Sequence, residues 1–221
     1  MTTDVISPPP VLLIGGDAWH PESVYAGAVS EEAANGAEVR LVHGFDAGMS
    51  ALARHRLVVL AKSNQASPAD ERPWFTEDHG AELLDFVARG GGLLVLHAGI
   101  ALYENVESFR SLVGGVFTEH DEQCPVTAEP DGSHPVTAAV EPYEETDEHY
   151  FVEMTAADAD VLMVTRSKYG VQPGCWIRSE GRGRVCVATP GHTGAVWANP
   201  NHRRLIRNAA LWVQGCPGPD R

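Results

Sequence analysis

The sequence has 221 residues, of which 43% are hydrophobic and 21% are charged, proportions that are ordinary for a globular protein. Its formal net charge is −14, which argues against nucleic acid or an anionic membrane as a partner. The N-terminal segment lacks the charged and apolar regions of a signal peptide. No apolar run approaches the ~20 residues that a membrane span needs. We therefore expect a soluble, cytoplasmic protein.

The cysteine spacing and the chain length bound the organisation. The four cysteines show no C-x-x-C pairing, which disfavours a disulfide framework or a structural zinc knuckle. A chain of this length suits one good-sized core. We expect a single α/β domain over residues 11–214, a disordered arm at 1–10 and a flexible tail at 215–221. The sequence leaves open whether the chain forms a homo-oligomer.

The first half alternates short apolar runs with helical segments. The apolar runs predict strands at 11–14, 39–42, 57–60 and 92–96. One helix is predicted from Glu22 to about Asn35, and a second begins after Thr76 as its N-cap. The inward stripe of the second helix is predicted to be Ala81, Leu84, Val87 and Ala88. Strands that alternate with helices in this way indicate a doubly wound sheet.

The second half has a different pattern. A short helix is predicted to end at Val113, and a strand is predicted to end at His120. Turns are predicted from 125 to 140, an extended segment from 143 to 152 and a strand at 161–164. A β-hairpin over 175–189 and a helix that begins at Asn199-Pro200 follow. The whole predicts a mostly parallel sheet with an antiparallel extension.

The run Gly92–Leu96 ends at His97, and small residues follow at once. An unbroken apolar run of this kind is typical of a central parallel strand buried on both faces. Ligands of open α/β sheets bind beyond the carboxyl ends of the strands. His97 is therefore expected at the floor of the crevice. A structural histidine that is hydrogen-bonded to backbone carbonyls in a tight turn is the alternative.

Four histidines share this position, just past a predicted strand end or in the turn that follows: His20, His97, His120 and His192. Because parallel strands end at one edge, we expect them to converge with Glu148 or Asp147. Histidines joined by a carboxylate bind divalent transition metals. The predicted catalytic groups and metal ligands are His97, His120, Glu148 and His192, with zinc or a similar ion. Without a metal, the same groups can do acid–base work near neutral pH.

Other catalytic classes lack their motifs. The sequence contains no G-x-S-x-G elbow, and His97 stands where a cysteine nucleophile would stand. The turn Gly15-Gly16-Asp17 is not a G-x-G-x-x-G dinucleotide fingerprint.

Eight pieces of the sequence, in order, resemble ThuA-like (trehalose utilisation) proteins. They are GGGLLVLHAG, LVGGVFTEH, HPVT, TDEHY, P-x-x-W at 173–176, GRGRV, PGH and a final helix with Asn208-Ala209 and Trp212. The resemblance implies a flavodoxin-like, class I glutamine amidotransferase-like three-layer sandwich with histidine at the nucleophile elbow. It also implies a role in carbohydrate metabolism, with trehalose or a keto-disaccharide as ligand.

Two functions remain open at this point. In the first, the protein is a carbohydrate-active enzyme, a hydrolase or isomerase. In the second, it is a non-catalytic sugar-binding or accessory protein, for which aromatic platforms such as Trp19, Tyr103 and Trp197 would serve. The predicted substrate-binding residues are His20, Trp19, Asp147 and Tyr103. The sequence departs from the family in having His149 after the Asp147-Glu148 pair.

Overall fold

The computed structural model describes residues 10–44, 52 and 54–215. The predicted arm at 1–10 and tail at 215–221 lie outside these residues, apart from Pro10 and Gly215. The single domain over 11–214 stays a prediction.

A nine-stranded sheet forms the centre of the molecule. Its strands are β1 (Val11–Gly15), β2 (Val39–Val42), β3 (Leu57–Ala61), β4 (Gly92–Leu96), β6 (Cys124–Pro130), β7 (Tyr143–Asp147), β9 (Asp160–Ser167), β10 (Gly170–Glu180) and β11 (Gly183–Ala188). Their order across the sheet is β2-β1-β3-β4-β11-β10-β9-β6-β7. Two further strands, β5 (Gly115–Glu119) and β8 (Phe151–Met154), pair with each other in a separate antiparallel ribbon.

Helices cover both faces of this sheet and make three layers. They are α1 (Ala26–Ala33), α2 (Glu77–Ala88), α3 (Glu107–Val113), α4 (Gly194–Ala198) and α5 (Pro200–Val213). Apolar side chains of α1 and α5 pack in one core cluster, and those of α2 and α3 pack in the other. Within the described part of the chain, no helix is both long and apolar enough to cross a membrane.

The strands β2, β1, β3, β4 and β11 are mutually parallel. Every residue of β1, β3 and β4 is buried, as continuous apolar runs predict. The later strands β10, β9, β6 and β7 each pair antiparallel to a neighbour and form the extension. The predicted flavodoxin-like α/β fold with an antiparallel extension is confirmed. The fifth parallel strand comes from the second arm of the predicted hairpin.

The prediction of turns throughout 125–140 is wrong for 125–130, because β6 occupies Cys124–Pro130, whereas bends and turns do follow at 132–139. Buried and exposed residues largely alternate along β6, but two prolines obscured the pattern. Pro125 pairs only with β7, and Pro130 pairs only with β9. Each proline therefore lies where one side of the strand needs no backbone donor. The extended segment predicted at 143–152 is likewise two strands, β7 and β8, in different sheets.

Helix α2 begins where it was predicted to begin, after Thr76, but its buried face is shifted by one residue. The buried residues are Gly80, Leu83, Phe86 and Val87, whereas Ala81 is exposed. Phe86 is the largest apolar side chain of the helix, and its burial sets which face meets the sheet.

The last helix contacts the extension through a buried polar pair. His202 is 0% exposed, and its Nδ1 lies 2.9 Å from the hydroxyl oxygen of Tyr143 on β7. Trp197 packs edge-on against the imidazole ring. Burial, with a smaller contribution from the charge of His97, lowers the pKa of His202 to about 3. The ring is therefore neutral in the folded protein across the ordinary pH range.

The pKa of His202 is lower in the folded protein than in the unfolded chain, so unfolding at acidic pH takes up a proton. The pKa of an unfolded histidine is ~6.5, so stability should fall as the pH drops from about 6.5 towards 3. Between about pH 7.5 and pH 4.5 the loss due to His202 should be about 2–3 kcal/mol. Urea unfolding at both pH values should show this loss reduced in His202→Gln and retained in His43→Gln, a change at an exposed histidine. An unchanged pH dependence in His202→Gln would contradict the assignment.

Candidate functional site

A sharp turn at the end of β4 places His97 at the carboxyl edge of the sheet. The backbone of His97 is left-handed, with φ +41°, and a 3-10 turn over His97–Ile100 follows. Such a conformation costs a non-glycine residue ~1–3 kcal/mol and is frequent at functional sites. Gly99 allows the turn, because a Cβ there would lie 2.4 Å from the Leu60 carbonyl oxygen.

The imidazole of His97 is fixed on two sides. Its Nδ1 lies 2.7 Å from the Thr189 carbonyl oxygen, and its ring stacks on Tyr150 with centroids 4.1 Å apart. Because a carbonyl oxygen only accepts hydrogen bonds, Nδ1 is the donor in this pair and Nε2 is the ring nitrogen that faces the crevice. Both predictions for His97 therefore hold: one ring nitrogen is hydrogen-bonded to a backbone carbonyl, as in a structural turn histidine, and the other faces the crevice.

His20 is held in a comparable way by Asp17. The Asp17 carboxylate accepts hydrogen bonds from the backbone N–H groups of Trp19 and His20 and from His20 Nδ1, at 2.8–2.9 Å. It also accepts from the backbone and hydroxyl of Ser63. Burial alone would raise the pKa of Asp17, but the interactions with His20 and Ser63 outweigh it and leave this pKa well below its usual range. Burial lowers the pKa of His20. Because Asp17 is bound to Nδ1 of this ring, Nε2 is the nitrogen that faces the crevice.

Asp147 orients the loop that carries His192. Its carboxylate accepts backbone hydrogen bonds from Gly191 and His192, both at 2.9 Å, and from Thr193 at 3.3 Å. The residue is 1% exposed. Asp147 was predicted to bind substrate, but its oxygens are occupied by the loop behind the crevice. It is a positioning residue because the loop backbone is its partner.

Glu148 lies in the break between β7 and β8, next to three histidines. Its Oε2 is 3.1 Å from His192 Nδ1, 3.4 Å from His97 Nε2 and 3.6 Å from His120 Nε2. Burial alone would raise the pKa of Glu148, but the interactions with His192 and His97 reverse this and hold it well below its usual range. The hydrogen bond with Glu148 in turn raises the pKa of His192.

These side chains form one compact group, the histidine–glutamate cluster: His20, His97, Glu148 and His192. One potential ligand atom from each lies within 4.8 Å of the others. Within the described chain, the buried His20 Nε2 has no hydrogen-bond partner, and the buried His97 Nε2 and His192 Nδ1 face Glu148 Oε2. Buried polar atoms are costly unless they have partners, so the space between these atoms suits a bound cation or a hydrogen-bonding group.

The donor set suits a divalent transition metal. Three imidazole nitrogens and a carboxylate oxygen are ligands that zinc accepts. In metal sites the second ring nitrogen of a ligating histidine is usually bound to a carboxylate or a carbonyl. His20 has Asp17 in this role, and His97 has the Thr189 carbonyl.

His120 lies beside the cluster and outside its compact group, whereas the predicted ligand set contained His120 and not His20. The reason is that β5, which precedes His120, pairs with β8 and is not a strand of the central sheet. The His120 side chain is 36% exposed. Its Nδ1 donates to the Asp121 carbonyl oxygen at 2.8 Å, so Nε2 faces Glu148 from the solvent side.

A pocket of about 200 Å³ opens in front of the cluster. Trp19, which is 44% exposed, lines it together with Phe117 and Tyr150. His20 and Trp19 therefore lie where ligand binding was predicted. Tyr103 does not, because it is 0% exposed and its hydroxyl donates to the Lys62 carbonyl oxygen. Trp197 is also unavailable as a platform, since it is 4% exposed and its indole N–H donates to the Gly191 carbonyl oxygen.

Sequence reasoning missed Asp17 and Tyr150. Asp17 stands three residues before His20, a spacing that a tight turn can close, and this was the signal available. Tyr150 is part of the TDEHY piece, but nothing in the sequence showed that its ring would stack on His97. His149, the departure from the family pattern, is buried and lies within hydrogen-bond distance of the hydroxyls of Ser167 and Thr165, so it is structural.

The comparisons with known proteins agree with this architecture. The protein family described as ThuA, trehalose utilisation, matches residues 11–213. The chain belongs to the ThuA family. No protein of curated function matches its sequence.

Solved structures share the fold of this ThuA-family chain at low identity. A ThuA-like protein from Parabacteroides merdae ATCC 43184 is 19% identical with a TM-score of 0.77, over 97% of this chain and 93% of the other. A ThuA-like protein from Bacteroides uniformis ATCC 8492 is 19% identical with a TM-score of 0.70, over 96% and 94%. A β-galactosidase from Rahnella sp. R3 is 13% identical with a TM-score of 0.67, over 96% of this chain but 32% of the enzyme.

The loop role of Asp147 leads to a stability prediction. In Asp147→Asn one acceptor oxygen becomes an NH₂ group that faces backbone N–H groups, so buried donors lose their partner. We expect a loss of about 1–3 kcal/mol in the free energy of unfolding. Urea denaturation measures it. The matched control is Glu144→Gln, an exposed position on the same strand, which should stay within about 0.5 kcal/mol of the wild type. Equal effects of the two changes would refute the anchoring role.

Proposed function

We propose that this ThuA-family protein is an enzyme that acts on a carbohydrate, with trehalose or a keto-disaccharide as its substrate class. One observation carries the proposal. Three buried ring nitrogens converge beside a pocket that is open to solvent; that of His20 has no hydrogen-bond partner in the described chain, and those of His97 and His192 face Glu148. Because histidine replaces the nucleophile at the elbow, hydrolysis or isomerisation by acid–base or metal-assisted chemistry fits better than amide transfer.

We further propose that His20, His97, Glu148 and His192 hold a divalent metal ion such as zinc. The fit rests on the convergence of three ring nitrogens and a carboxylate oxygen and on the hydrogen-bonded second nitrogens of His20 and His97. When bound, such an ion would polarise a sugar carbonyl or activate a water molecule.

The remaining roles follow from where each side chain lies. His120 faces Glu148 from the exposed side, which suits a group that moves a proton between substrate and solvent. Tyr150 stacks on His97 and keeps its ring fixed. Trp19 offers an exposed aromatic face at the pocket, on which the apolar face of a sugar ring can pack.

The metal proposal predicts different behaviour for two histidines. Protein purified without a histidine tag and treated with chelator should bind about one zinc ion per chain in calorimetry. His20→Ala, His97→Ala and Glu148→Gln should weaken binding at least ~10–100-fold, the range that lost support of a metal site typically costs. His120→Ala should keep its affinity, as should His134→Gln, a control outside the cluster. If His120→Ala loses zinc while His20→Ala retains it, the assignment of ligands is wrong.

The enzyme proposal predicts turnover. Purified protein, with and without chelator, is assayed against keto-sugars and disaccharides. His120→Ala should lower kcat by about 10²–10⁴-fold, the usual contribution of a positioned acid or base. Trp19→Ala should mainly raise KM, because it removes a binding surface and leaves the cluster intact. Loss of activity in His134→Gln to the same extent would point to a folding defect and contradict the assigned roles.

A sugar-binding or accessory protein is the second candidate. The observation that favours it is Trp19, whose exposed ring at the pocket suits recognition without chemistry. Saturable sugar binding with no turnover under any metal would select this function over the enzyme.

A further inference from the structure

A second, larger cleft adjoins the pocket in front of the histidine–glutamate cluster. It has a volume of about 600 Å³ and lies between the loop after β3 and the segment that follows the His97 turn. Gln65 and Leu102 line both the pocket and the cleft, so the two spaces are neighbours that meet at these residues.

Leu102 at this junction has two unfavourable features at once. Its backbone is left-handed, with φ +67°, and its side chain is 41% exposed. A leucine seldom takes this conformation, and neither strain nor exposure of a large apolar group helps the isolated protein. Both features are explained if the side chain packs against a ligand. Trp19, also exposed, lines the same pocket.

The volumes of the pocket and the cleft suit a ligand that has two parts, one in each space. The pocket of about 200 Å³ is smaller than the ~300–1,000 Å³ typical of sites for drug-sized ligands, so it suits a single ring. The cleft of about 600 Å³ has room for a further ring. A ligand of two rings would pass Leu102 where they join.

The charge of the cleft restricts the ligand further. Glu71, Glu77 and Glu104 line it, together with amide groups such as that of Asn105, and no lysine or arginine is among its described lining residues. Carboxylates and amides accept hydrogen bonds from sugar hydroxyls, whereas like charges at short range repel a phosphate.

We propose that this cleft is the subsite for the non-reacting ring of an uncharged disaccharide, that Leu102 is the contact at the junction of the two rings, and that the carboxylates select against phosphorylated sugars. The assignment rests on the proposed function for the identity of the reacting ring. It places this reaction on the unphosphorylated sugar, so that any phosphorylation comes later.

Calorimetric titration with glucose, trehalose and trehalose 6-phosphate tests the subsite. The wild type should bind trehalose at least tenfold more tightly than glucose and at least tenfold more tightly than trehalose 6-phosphate. Leu102→Gly keeps the left-handed backbone and should weaken trehalose binding about tenfold, with glucose unchanged. Asn105→Trp should fill the cleft and give the same selective loss.

Matched controls separate these effects from changes in folding. Asn35→Gly relieves another exposed left-handed residue, with φ +46°, and Glu107→Trp adds bulk on α3 outside the cleft; both should bind trehalose like the wild type. The double variant Glu71→Gln/Glu104→Gln should bring trehalose 6-phosphate closer to trehalose in affinity.

The outcomes that overturn the inference are distinct. Equal affinity for glucose and trehalose, or equal loss of both in Leu102→Gly, removes the subsite and leaves the proposed function standing. Trehalose 6-phosphate bound as tightly as trehalose removes the charge selection. Binding of none of the three sugars by the wild type overturns the subsite, whereas the proposed carbohydrate function is overturned by the absence of turnover and of binding with the keto-sugars and disaccharides of the activity assay.

Discussion

The arrangement of the site depends on one buried carboxylate, that of Asp147. The antiparallel extension leaves the parallel strands at β10, yet its last strand, β7, returns to the loop after β11 through the hydrogen bonds of this carboxylate. Thr193 Oγ1 donates to the Thr146 carbonyl oxygen at 2.8 Å, and Asn199 donates to Glu145 at 2.8 Å, along the same seam. Burial raises the pKa of Asp147, which shows that the charge is held at a cost. These hydrogen bonds fix the position of the chain at Asp147, and so they place Glu148, the next residue, beside His97 and His192.

The cluster that results brings carboxylate oxygens and imidazole nitrogens together in a small buried space. Two carboxylates, Asp17 and Glu148, have pKa values held well below their usual range by neighbouring imidazoles and other hydrogen-bond donors. Three ring nitrogens converge between them: that of His20 has no partner in the described chain, and those of His97 and His192 face Glu148. A protein under selection for stability alone would fill or pair such a site, so the arrangement is one that stability does not explain. A cation, either a proton or a metal ion, is what the electrostatics of this space favour.

Local sequence patterns predicted the parallel half because its strands are buried on both faces and its helices have clear ends. The convergence of His20, His97 and His192 followed from the rule that parallel strands end at one edge. The position of His120 did not follow, because the pairing of β5 with β8 depends on contacts distant in sequence. The predictions that Tyr103 and Asp147 bind substrate failed for the same reason. Nothing in the local sequence shows that Tyr103 lies in the core, or that Asp147 faces a loop 44 residues away.

Histidine at the strand-to-helix elbow changes what that position can do. A serine or cysteine there acts by forming a bond to substrate, and the tight turn serves to expose it. An imidazole has a second nitrogen, which must be fixed before the first is useful as a ligand or base. The Thr189 carbonyl at the end of β11 provides this restraint, and it lies within reach because β11 pairs directly beside β4. The β-galactosidase that shares this fold over a third of its chain shows the fold alone; the reaction proposed here rests on the restrained imidazole and its neighbours.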